Sequence, residues 1–231
     1  MRQIVLDTET TGLDPAAGHR IIEIGCVELV NRRLTDVNFH RYVNPGRESD
    51  EAALEVHGLT AEFLADKPPF EEIAGELLDY VRGAEVIIHN APFDLAFLDA
   101  ELARLKLPRF SAHVGAITDS LALAKERHPG RRNNLDALCE RYGISNAHRT
   151  LHGALLDGAL LAQVYLAMTR GQDALGMDIG DGGEGTQRAA PVAAGPLSTF
   201  VLAASADEVA AHEQLIEGIA REARAAVWSA P

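Results

Sequence analysis

Apolar residues that alternate with polar ones, or that run continuously, predict β-strands in the first half of the chain. Three such runs follow one another with short connections, at residues 4–6, 21–30 and 37–43. Two shorter apolar runs come later, at 85–88 and 116–118. Because the first three runs are joined by short turns, they predict an antiparallel meander at the start of a sheet.

Apolar residues at three- and four-residue spacing predict helices between and after the strands. In chain order, the predicted helices cover 50–56, 61–64, 70–81, 92–105, 121–126, 135–142 and 153–168. Thr60 and Asn134 stand where an N-cap is expected, and Gly143 stands where the sixth helix should end. The order of elements predicts an α/β fold: a mixed sheet of three antiparallel strands, then alternating helices and strands, covered by helices.

Near residue 171 the composition changes, because 176–196 is rich in Gly, Ala and Asp and almost lacks large apolar side chains. We therefore predict a folded domain over 1–170, a flexible linker over 171–196 and a C-terminal tail over 197–231. In the tail, Ser205 and Glu208 have the spacing of a capping box, and the apolar stripe after them predicts one helix. A single helix cannot form a core of its own, so we expect it to dock on a partner.

The chain of 231 residues is 47% hydrophobic and 24% charged, as is ordinary for a globular protein, and its formal net charge is −13. This charge argues against a protein that grips long duplex DNA, since that binding needs a broad basic face. An enzyme that handles a strand end through metal ions remains compatible with it. The four basic residues within 125–132 are a candidate phosphate contact, although a solvated loop is the simpler explanation.

The two cysteines, Cys26 and Cys139, lie far apart in apolar segments. This spacing predicts buried, reduced thiols in a cytoplasmic chain rather than a disulfide scaffold. No apolar run approaches the roughly 20 residues that a membrane span needs. The first residues also lack the apolar core of a signal peptide.

Four acidic residues stand out by their positions. Asp7 and Glu9 follow an apolar run with one residue between them, so both point to one face of a strand. Such a pair alone is more often a solvated strand end than a site. Asp94 stands in the first turn of a predicted helix, where the helix dipole also favours an acid. Asp157 stands in a long apolar helix, where an acid without a partner would be costly. Carboxylates are the ligands that hard divalent cations prefer, so these acids are candidate metal ligands.

His152 precedes Asp157 by five residues, which is the wrong spacing for a shared helix face. We therefore expect His152 on the turn before the helix, next to Gly153, with its ring near Asp157. A lone histidine is more often structural than catalytic. Beside four acids, however, His152 is suited to take a proton from a metal-bound water.

Three motifs in this order resemble those of the DEDDh branch of the DEDD exonucleases, the DnaQ-like family: Asp7-Thr8-Glu9, then HNAPFD ending at Asp94, then His152-x4-Asp157. The segments IIEIG, RGAEVIIHNAPFD and PGRRNNLDALC are similar to those of members that serve as proofreading subunits of bacterial replicative DNA polymerases. The resemblance implies a ribonuclease H-like fold. It also implies 3′→5′ removal of mismatched nucleotides from a single-stranded 3′ DNA end, releasing nucleoside 5′-monophosphates.

The resemblance further implies two divalent cations, Mg²⁺ or Mn²⁺, beside the scissile phosphate. Asp7 would hold both ions. Glu9 and Asp157 would complete the shell of the first ion, Asp94 would help to hold the second, and His152 would act as general base. The resemblance assigns substrate binding to Thr10, Thr11, Gly12, Leu13 and His57. For His57, a plain loop position is an equally simple explanation.

Residues Gln172 to Met177 resemble a sliding-clamp-binding hexapeptide, although Met177 stands where an aromatic residue is usual. The resemblance implies that the tail, 197–231, binds the catalytic alpha subunit of the polymerase, that some lineages add a small accessory subunit, and that the protein works in the replisome at the nucleoid. Two alternatives stay open: a stand-alone exonuclease that trims RNA or repairs DNA, and a non-catalytic subunit that bridges clamp and polymerase. The linker and tail disfavour the first, and the complete set of candidate catalytic residues disfavours the second.

Overall fold

Six strands form one sheet in the structure of the protein, a computed structural model that describes residues 1–147, 151–170 and 205–223. The strands are β1 (Arg2–Thr10), β2 (Ile21–Val30), β3 (Arg33–Leu34), β4 (Phe39–Tyr42), β5 (Glu85–Ile88) and β6 (Ala116–Asp119). Their order is β3-β2-β1-β5-β6, and β4 also pairs with β2. β1 runs antiparallel to β2 and parallel to β5, and β5 runs parallel to β6. The predicted mixed sheet that begins with antiparallel strands is confirmed.

The third predicted strand, 37–43, needs correction. Only Phe39–Tyr42 pairs with β2, and the short β3 precedes it as the partner of β2 in a tight hairpin. The two turn residues, Asn31 and Arg32, both have positive φ, 50° and 63°. A two-residue hairpin turn demands this left-handed backbone, which normally selects Gly, Asn or Asp. Because Arg32 occupies the second position, the sequence carries only a weak signal for a hairpin turn here and does not predict β3.

Eight α-helices are present in the described residues, and the seven α-helices in 1–170 lie within one residue of their predicted bounds. They are α1 (Glu51–His57), α2 (Ala61–Leu64), α3 (Phe70–Val81), α4 (Ala91–Arg104), α5 (Ser120–Arg127), α6 (Leu135–Tyr142), α7 (Ala154–Met168) and α8 (Ala206–Ala223). The predicted caps are confirmed: Thr60 accepts a hydrogen bond from the Phe63 amide, and Asn134 accepts one from the Ala137 amide. Gly143 ends α6 in the left-handed conformation, with φ 66°.

The core lies on both faces of the sheet. On one face, even-numbered β1 residues such as Ile4 and Leu6 pack in one cluster with α3 and α4. On the other face, Val5 packs with Leu161 and Tyr165 of α7. α5 and α6 in turn cover α7. The predicted layers, with helices on both sides of a sheet, are therefore present.

The chain divides into two units, Met1–Met177 and Asp178–Pro231. In the second unit, the predicted capping box is present: the Glu208 amide donates to Ser205 Oγ, and the Ser205 amide donates to a Glu208 carboxylate oxygen at 2.8 Å. The predicted linker, 171–196, lies outside the described residues, so the domain bounds stay predictions. Cys26 and Cys139 are buried free thiols. No helix in the described part of the chain is both long and apolar enough to span a membrane.

The contact between β2 and the first turn of α7 leaves no room for a side chain at Gly25. A Cβ there would lie 2.2 Å from the carbonyl carbon of Ala154 and 2.2 Å from the Leu155 amide nitrogen. Gly25 is also the β2 partner of Asp7 in β1. The glycine therefore lets the start of α7 approach the sheet beside the acids of β1.

Replacing Gly25 with alanine should push α7 away from the sheet, because a Cβ cannot share space with helix backbone. We expect Gly25→Ala to lower the free energy of unfolding by about 1–3 kcal/mol or more. We also expect it to reduce the chemical activity of the site that α7 helps to build. Thermal denaturation and activity measurements check this.

The matched control is Gly75→Ala in the middle of α3, where an added Cβ would meet nothing within 4 Å. Alanine is the better helix former there, so this control should keep or raise stability. A Gly25→Ala protein as stable and active as Gly75→Ala would contradict the proposed constraint.

Candidate active site

β1 carries Asp7 and Glu9 into a pocket on the α7 face, because alternate residues of a strand share a face. The strand extends beyond the predicted 4–6 to Thr10, so both acids lie within it rather than after it. The β1–β2 register shifts between Glu9 and Thr10. The extra residue at this shift is Ile22 of β2, the strand opposite the acids, and such irregularities are frequent beside active sites. Glu9 is buried, with 9% of the residue exposed.

α7 supplies Asp157, which lies in the first turn of the helix and is 4% exposed. His152 precedes the helix, as predicted, and its backbone amide donates to the Val56 carbonyl at 3.0 Å. Its Nδ1 lies 3.6 Å from a carboxylate oxygen of Asp157. Ligand atoms of Glu9, His152 and Asp157 all lie within 4.8 Å of one another. The structure therefore joins the first and third sequence motifs in one cluster.

α4 supplies Asp94 from its first turn, after Asn90 adopts the left-handed conformation with φ 68°. Asp94 is 3% exposed, and Thr8 Oγ1 donates to its carboxylate at 2.7 Å. Burial raises the pKa of Asp94 to about 7, although the hydrogen bond from Thr8 acts to lower this pKa. A carboxyl in this surrounding is hard to ionise without a compensating positive charge.

One pocket of about 230 Å³ contains all five candidate catalytic residues. They are Asp7, Glu9, Asp94, His152 and Asp157. Four carboxylates gathered in one pocket repel each other unless they are protonated or neutralised. Divalent cations that prefer oxygen ligands would neutralise them. The donor set and the raised pKa of Asp94 fit such cations.

A second pocket, of about 380 Å³, adjoins the first and shares Thr8, Glu9 and Phe93 with it. One wall is the end of β1 and the loop after it, and the other wall is α1. Of the candidate substrate residues, four line this pocket: Thr10, Gly12, Leu13 and His57. Leu13 is 83% exposed at the mouth of this pocket, so its side chain is open to contact with a ligand there.

Thr11, the fifth candidate, does not line the pocket. It is fully buried, its amide donates to the Arg20 carbonyl at 2.9 Å, and its Oγ1 accepts from the Arg20 amide at 3.0 Å. Thr11 Oγ1 also lies 3.1 Å from His19 Nδ1. Its polar groups are therefore engaged in holding the loop that forms the wall.

His57 presents a buried hydrogen-bond donor. Its Nδ1 accepts from the Leu59 amide at 2.9 Å, so the proton of the neutral ring is on Nε2. Burial lowers the pKa of His57, which favours this neutral form. Within the described residues, Nε2 has no hydrogen-bond partner. Since a buried donor normally finds an acceptor, this atom is suited to bind a ligand.

Two residues that the sequence did not single out connect the walls of the second pocket. The His19 ring fills the space beside Gly12, where an added Cβ would lie 2.3 Å from it. His19 Nε2 lies 3.4 Å from the carboxylate of Asp50, which precedes α1. The Asp50 amide also donates to the Thr11 carbonyl at 2.8 Å. No local motif marks this link, because its members meet only in the folded chain.

Glu23 is a further buried acid beside the site that the sequence did not indicate. It pairs with Glu9 across the β1–β2 ladder and is bonded to His40 Nε2 at 2.7 Å. The half-buried His40 therefore partners this carboxylate from β4. The hydrogen bond from His40 gives the Glu23 carboxylate a partner at the edge of the site, opposite Glu9.

Comparison with protein families finds the exonuclease family (RNase_T) over residues 4–165. The DNA polymerase III subunit epsilon of Escherichia coli strain K12 is 49% identical over 240 aligned positions, which cover 99% of this chain and 98% of that protein. The subunit epsilon of Haemophilus influenzae is 57% identical over 175 positions, 74% of this chain and 68% of that protein. That of Rickettsia felis is 50% identical over 173 positions, 74% and 76% of the two chains.

Solved structures share the fold at low sequence identity. The nuclease domain of 3′hExo, a DEDDh family member bound to rAMP, matches with a TM-score of 0.63 and 18% identity over 72% of this chain and 90% of that one. Exonuclease X in complex with 5′ overhanging duplex DNA matches with a TM-score of 0.57 and 24% identity, again over 72% and 90%. The ribonuclease H-like fold is thereby confirmed. The chain belongs to the exonuclease family and, within it, to the DNA polymerase III epsilon subunits, which are 3′→5′ proofreading exonucleases.

Proposed function

We propose that the chain removes mismatched nucleotides from the single-stranded 3′ end of a DNA primer, as the proofreading subunit of the bacterial replicative DNA polymerase III. One observation carries this proposal. The pocket that gathers four carboxylates and His152 shares the wall residues Thr8, Glu9 and Phe93 with the second pocket, which has a volume of about 380 Å³. A 3′-terminal nucleotide in the second pocket would place its phosphate among the carboxylates.

Two divalent cations, Mg²⁺ or Mn²⁺, would be held by Asp7, Glu9, Asp94 and Asp157. When bound, they would supply a water of lowered pKa and stabilise the charge that develops on the leaving 3′ oxygen. The chain's own acids keep that centre in place: Glu9 and Asp157 lie close together, and Thr8 orients Asp94. The buried setting also makes their electrostatic interactions stronger than in water.

His152 is the proposed general base. Its side chain is 43% exposed, so its ring would be accessible to an attacking water, and its Nδ1 lies 3.6 Å from a carboxylate oxygen of Asp157. Asp157 would hold the ring in orientation and stabilise its protonated form. After the water loses its proton to His152, in-line attack at phosphorus would release a nucleoside 5′-monophosphate.

The second pocket would hold the terminal nucleotide. Its lining includes Ala52, Ala53 and Val56 of α1, which offer an apolar surface for a base or sugar. The Nε2–H of His57 would donate to a polar atom of the nucleotide. Leu13 would pack against the last base, and Thr10, whose hydroxyl donates to the Gly12 carbonyl at 2.7 Å, would help Thr11 to shape the wall.

The C-terminal tail is the proposed contact with the alpha subunit of the polymerase. α8 begins at its capping box, and Val209 and Leu215 are exposed on it. Exposed apolar side chains on a single helix are suited to a groove on a partner. The proposed clamp-binding segment, Gln172 to Met177, lies outside the described residues. An accessory subunit is a further proposal that rests on the family alone.

Digestion of a mismatched DNA primer end in Mg²⁺, beside an RNA oligonucleotide of the same sequence, tests the activity. We expect faster digestion of the DNA, with Asp157→Asn slower by about 10³-fold or more because a metal ligand is lost. The rate of the parent should rise with pH as His152 loses its proton.

The matched control is Asp79→Asn, an exposed acid on α3, which should leave the rate unchanged. An inactive parent, or an active Asp157→Asn, would refute the proposed chemistry. A flat pH–rate profile with intact metal binding would refute the role of His152.

The raised pKa of Asp94 predicts that stability depends on pH and cations. Folding raises this pKa from an ordinary value of 3.8 to about 7. The folded state therefore binds the proton more tightly, and stability falls as pH rises between about 4 and 7. Without divalent cations at pH 8, Asp94→Asn should melt higher than the parent by roughly 2 °C or more.

Calorimetry at pH 5 and pH 8, with and without Mg²⁺, checks this prediction. Mg²⁺ should stabilise the parent more at pH 8 than at pH 5, and should stabilise Asp94→Asn less. Equal melting of parent and variant at both pH values would show that Asp94 does not carry the effect.

Deleting 171–231 should leave hydrolysis of a DNA end intact, because the proposed site lies wholly within 1–170. The same deletion should abolish co-purification with the alpha subunit. Size-exclusion chromatography of a mixture with purified alpha subunit measures it. If the truncated chain still elutes with alpha, the assignment of the tail is wrong.

A further inference from the structure

The last turn of α5 and the loop between α5 and α6 expose a group of cationic side chains on a chain whose net charge is −13. The group, here called the basic loop, consists of Lys125, Arg127, Arg131 and Arg132. Among the described residues, no ion pair involves any of the four. The nearest acids along the chain are Glu126, Asp136 and Glu140, and Asp136 accepts a hydrogen bond from Asn146. The cationic charge of the basic loop is therefore available to a ligand.

The backbone of the basic loop is held by the protein itself. Buried Asn133 donates from Nδ2 to the carbonyls of His128 and Arg131 and accepts at Oδ1 from Arg141. Arg141 also donates to the Arg132 carbonyl at 2.7 Å. These bonds hold the backbone of the segment, and the side chains of Lys125, Arg127, Arg131 and Arg132 are exposed. A preorganised loop loses less entropy when it binds than a disordered one.

The pKa of His128 reflects the positive charges around it. Its Nε2 lies 2.7 Å from the Tyr142 hydroxyl, which fixes the ring. Its pKa is lowered, first by partial loss of hydration and then by the positive charges of Arg141, Arg127 and Arg131. The guanidinium groups of Arg127, Arg131 and Arg141 therefore all lie close enough to act on the same ring.

The basic loop lies next to residues that line the catalytic pocket and do not line the second pocket. Leu135, the first residue of α6, lines the catalytic pocket three residues after Arg132, and Lys125 lies close enough to His89 for its charge to act on that ring. His89 lines the catalytic pocket as well. Burial lowers the pKa of His89, and the backbone of Asn133 lies close enough to the ring to act in the opposite direction. Neither His89 nor Leu135 lines the second pocket.

We propose that the basic loop binds the phosphodiester backbone of the strand on the 5′ side of the scissile phosphate. The inference rests on the proposed function, in which the terminal nucleotide occupies the second pocket. With the 3′ end there and the scissile phosphate among the acids, the upstream strand leaves the catalytic pocket where His89 and Leu135 lie. The basic loop stands beside this exit. Cations on phosphates position a strand without reading its sequence, which suits removal of any mismatched base.

The double variant Arg131→Gln/Arg132→Gln tests the proposal in the full-length protein. Two substrates are compared in Mg²⁺: a single-stranded DNA oligonucleotide, and a thymidine 5′-(p-nitrophenyl) phosphodiester, which has no upstream phosphate. We expect the KM for the oligonucleotide to rise several-fold with little change in kcat. The dependence of log(kcat/KM) on log[salt] should become shallower by about 1.4, because two phosphate contacts are lost. Hydrolysis of the mononucleotide diester should be unchanged.

The control is Arg33→Gln/Arg104→Gln, which removes the same charge from exposed positions on β3 and at the end of α4. The parallel variant Lys125→Gln/Arg127→Gln addresses the other half of the basic loop. Oligonucleotide kinetics equal to the control in both loop variants would overturn the proposal. Equal loss on both substrates would overturn it too, since the defect would then lie in the catalytic pocket. An inactive parent on both substrates would instead refute the proposed function itself.

Discussion

The close contact between β2 and the start of α7 is the constraint on which the site depends. At Gly25 the helix backbone occupies the space that any other side chain would need. Only this approach puts Asp157, in the first turn of α7, beside Glu9 of β1. His152 follows from the same contact, because it lies immediately before the helix and is anchored to the end of α1 by its backbone. Packing of a glycine, rather than attraction between the catalytic groups, brings the acids together.

The acids so gathered create an electrostatic problem that the fold resolves in part. Asp94 is buried so deeply that its pKa rises, although Thr8 donates a hydrogen bond to it. Other buried acids nearby are compensated within the protein. Arg20 pairs with Glu101 through two bonds, and His40 pairs with Glu23. The carboxylates of the proposed catalytic pocket are the set that divalent cations would complete, while the basic loop carries positive charge outside the pocket.

The same arrangement explains how a protein with net charge −13 can handle a nucleic acid. Cations held by the acids would face the phosphate that reacts. The neighbouring pocket between the end of β1 and α1 offers mainly apolar walls and one histidine donor for the terminal nucleotide. Such a division needs no broad basic face, which is why overall charge alone is a poor guide to the substrate.

The sequence by itself determined the elements and the chemistry. Period-two and helical apolar patterns, together with Thr60, Asn134 and Gly143, placed the helices of the domain to within one residue. The three acidic motifs indicated the chemistry because their residue types and order are specific in combination. Tertiary structure alone decided what depends on distant segments, namely the register shift beside Glu9 and the link from His19 to Asp50. The hairpin at Asn31 and Arg32 is local, but its turn residues carry only a weak sequence signal. It also decided that Gly25 must be glycine, since a close approach between two backbones leaves no periodic signal in either segment.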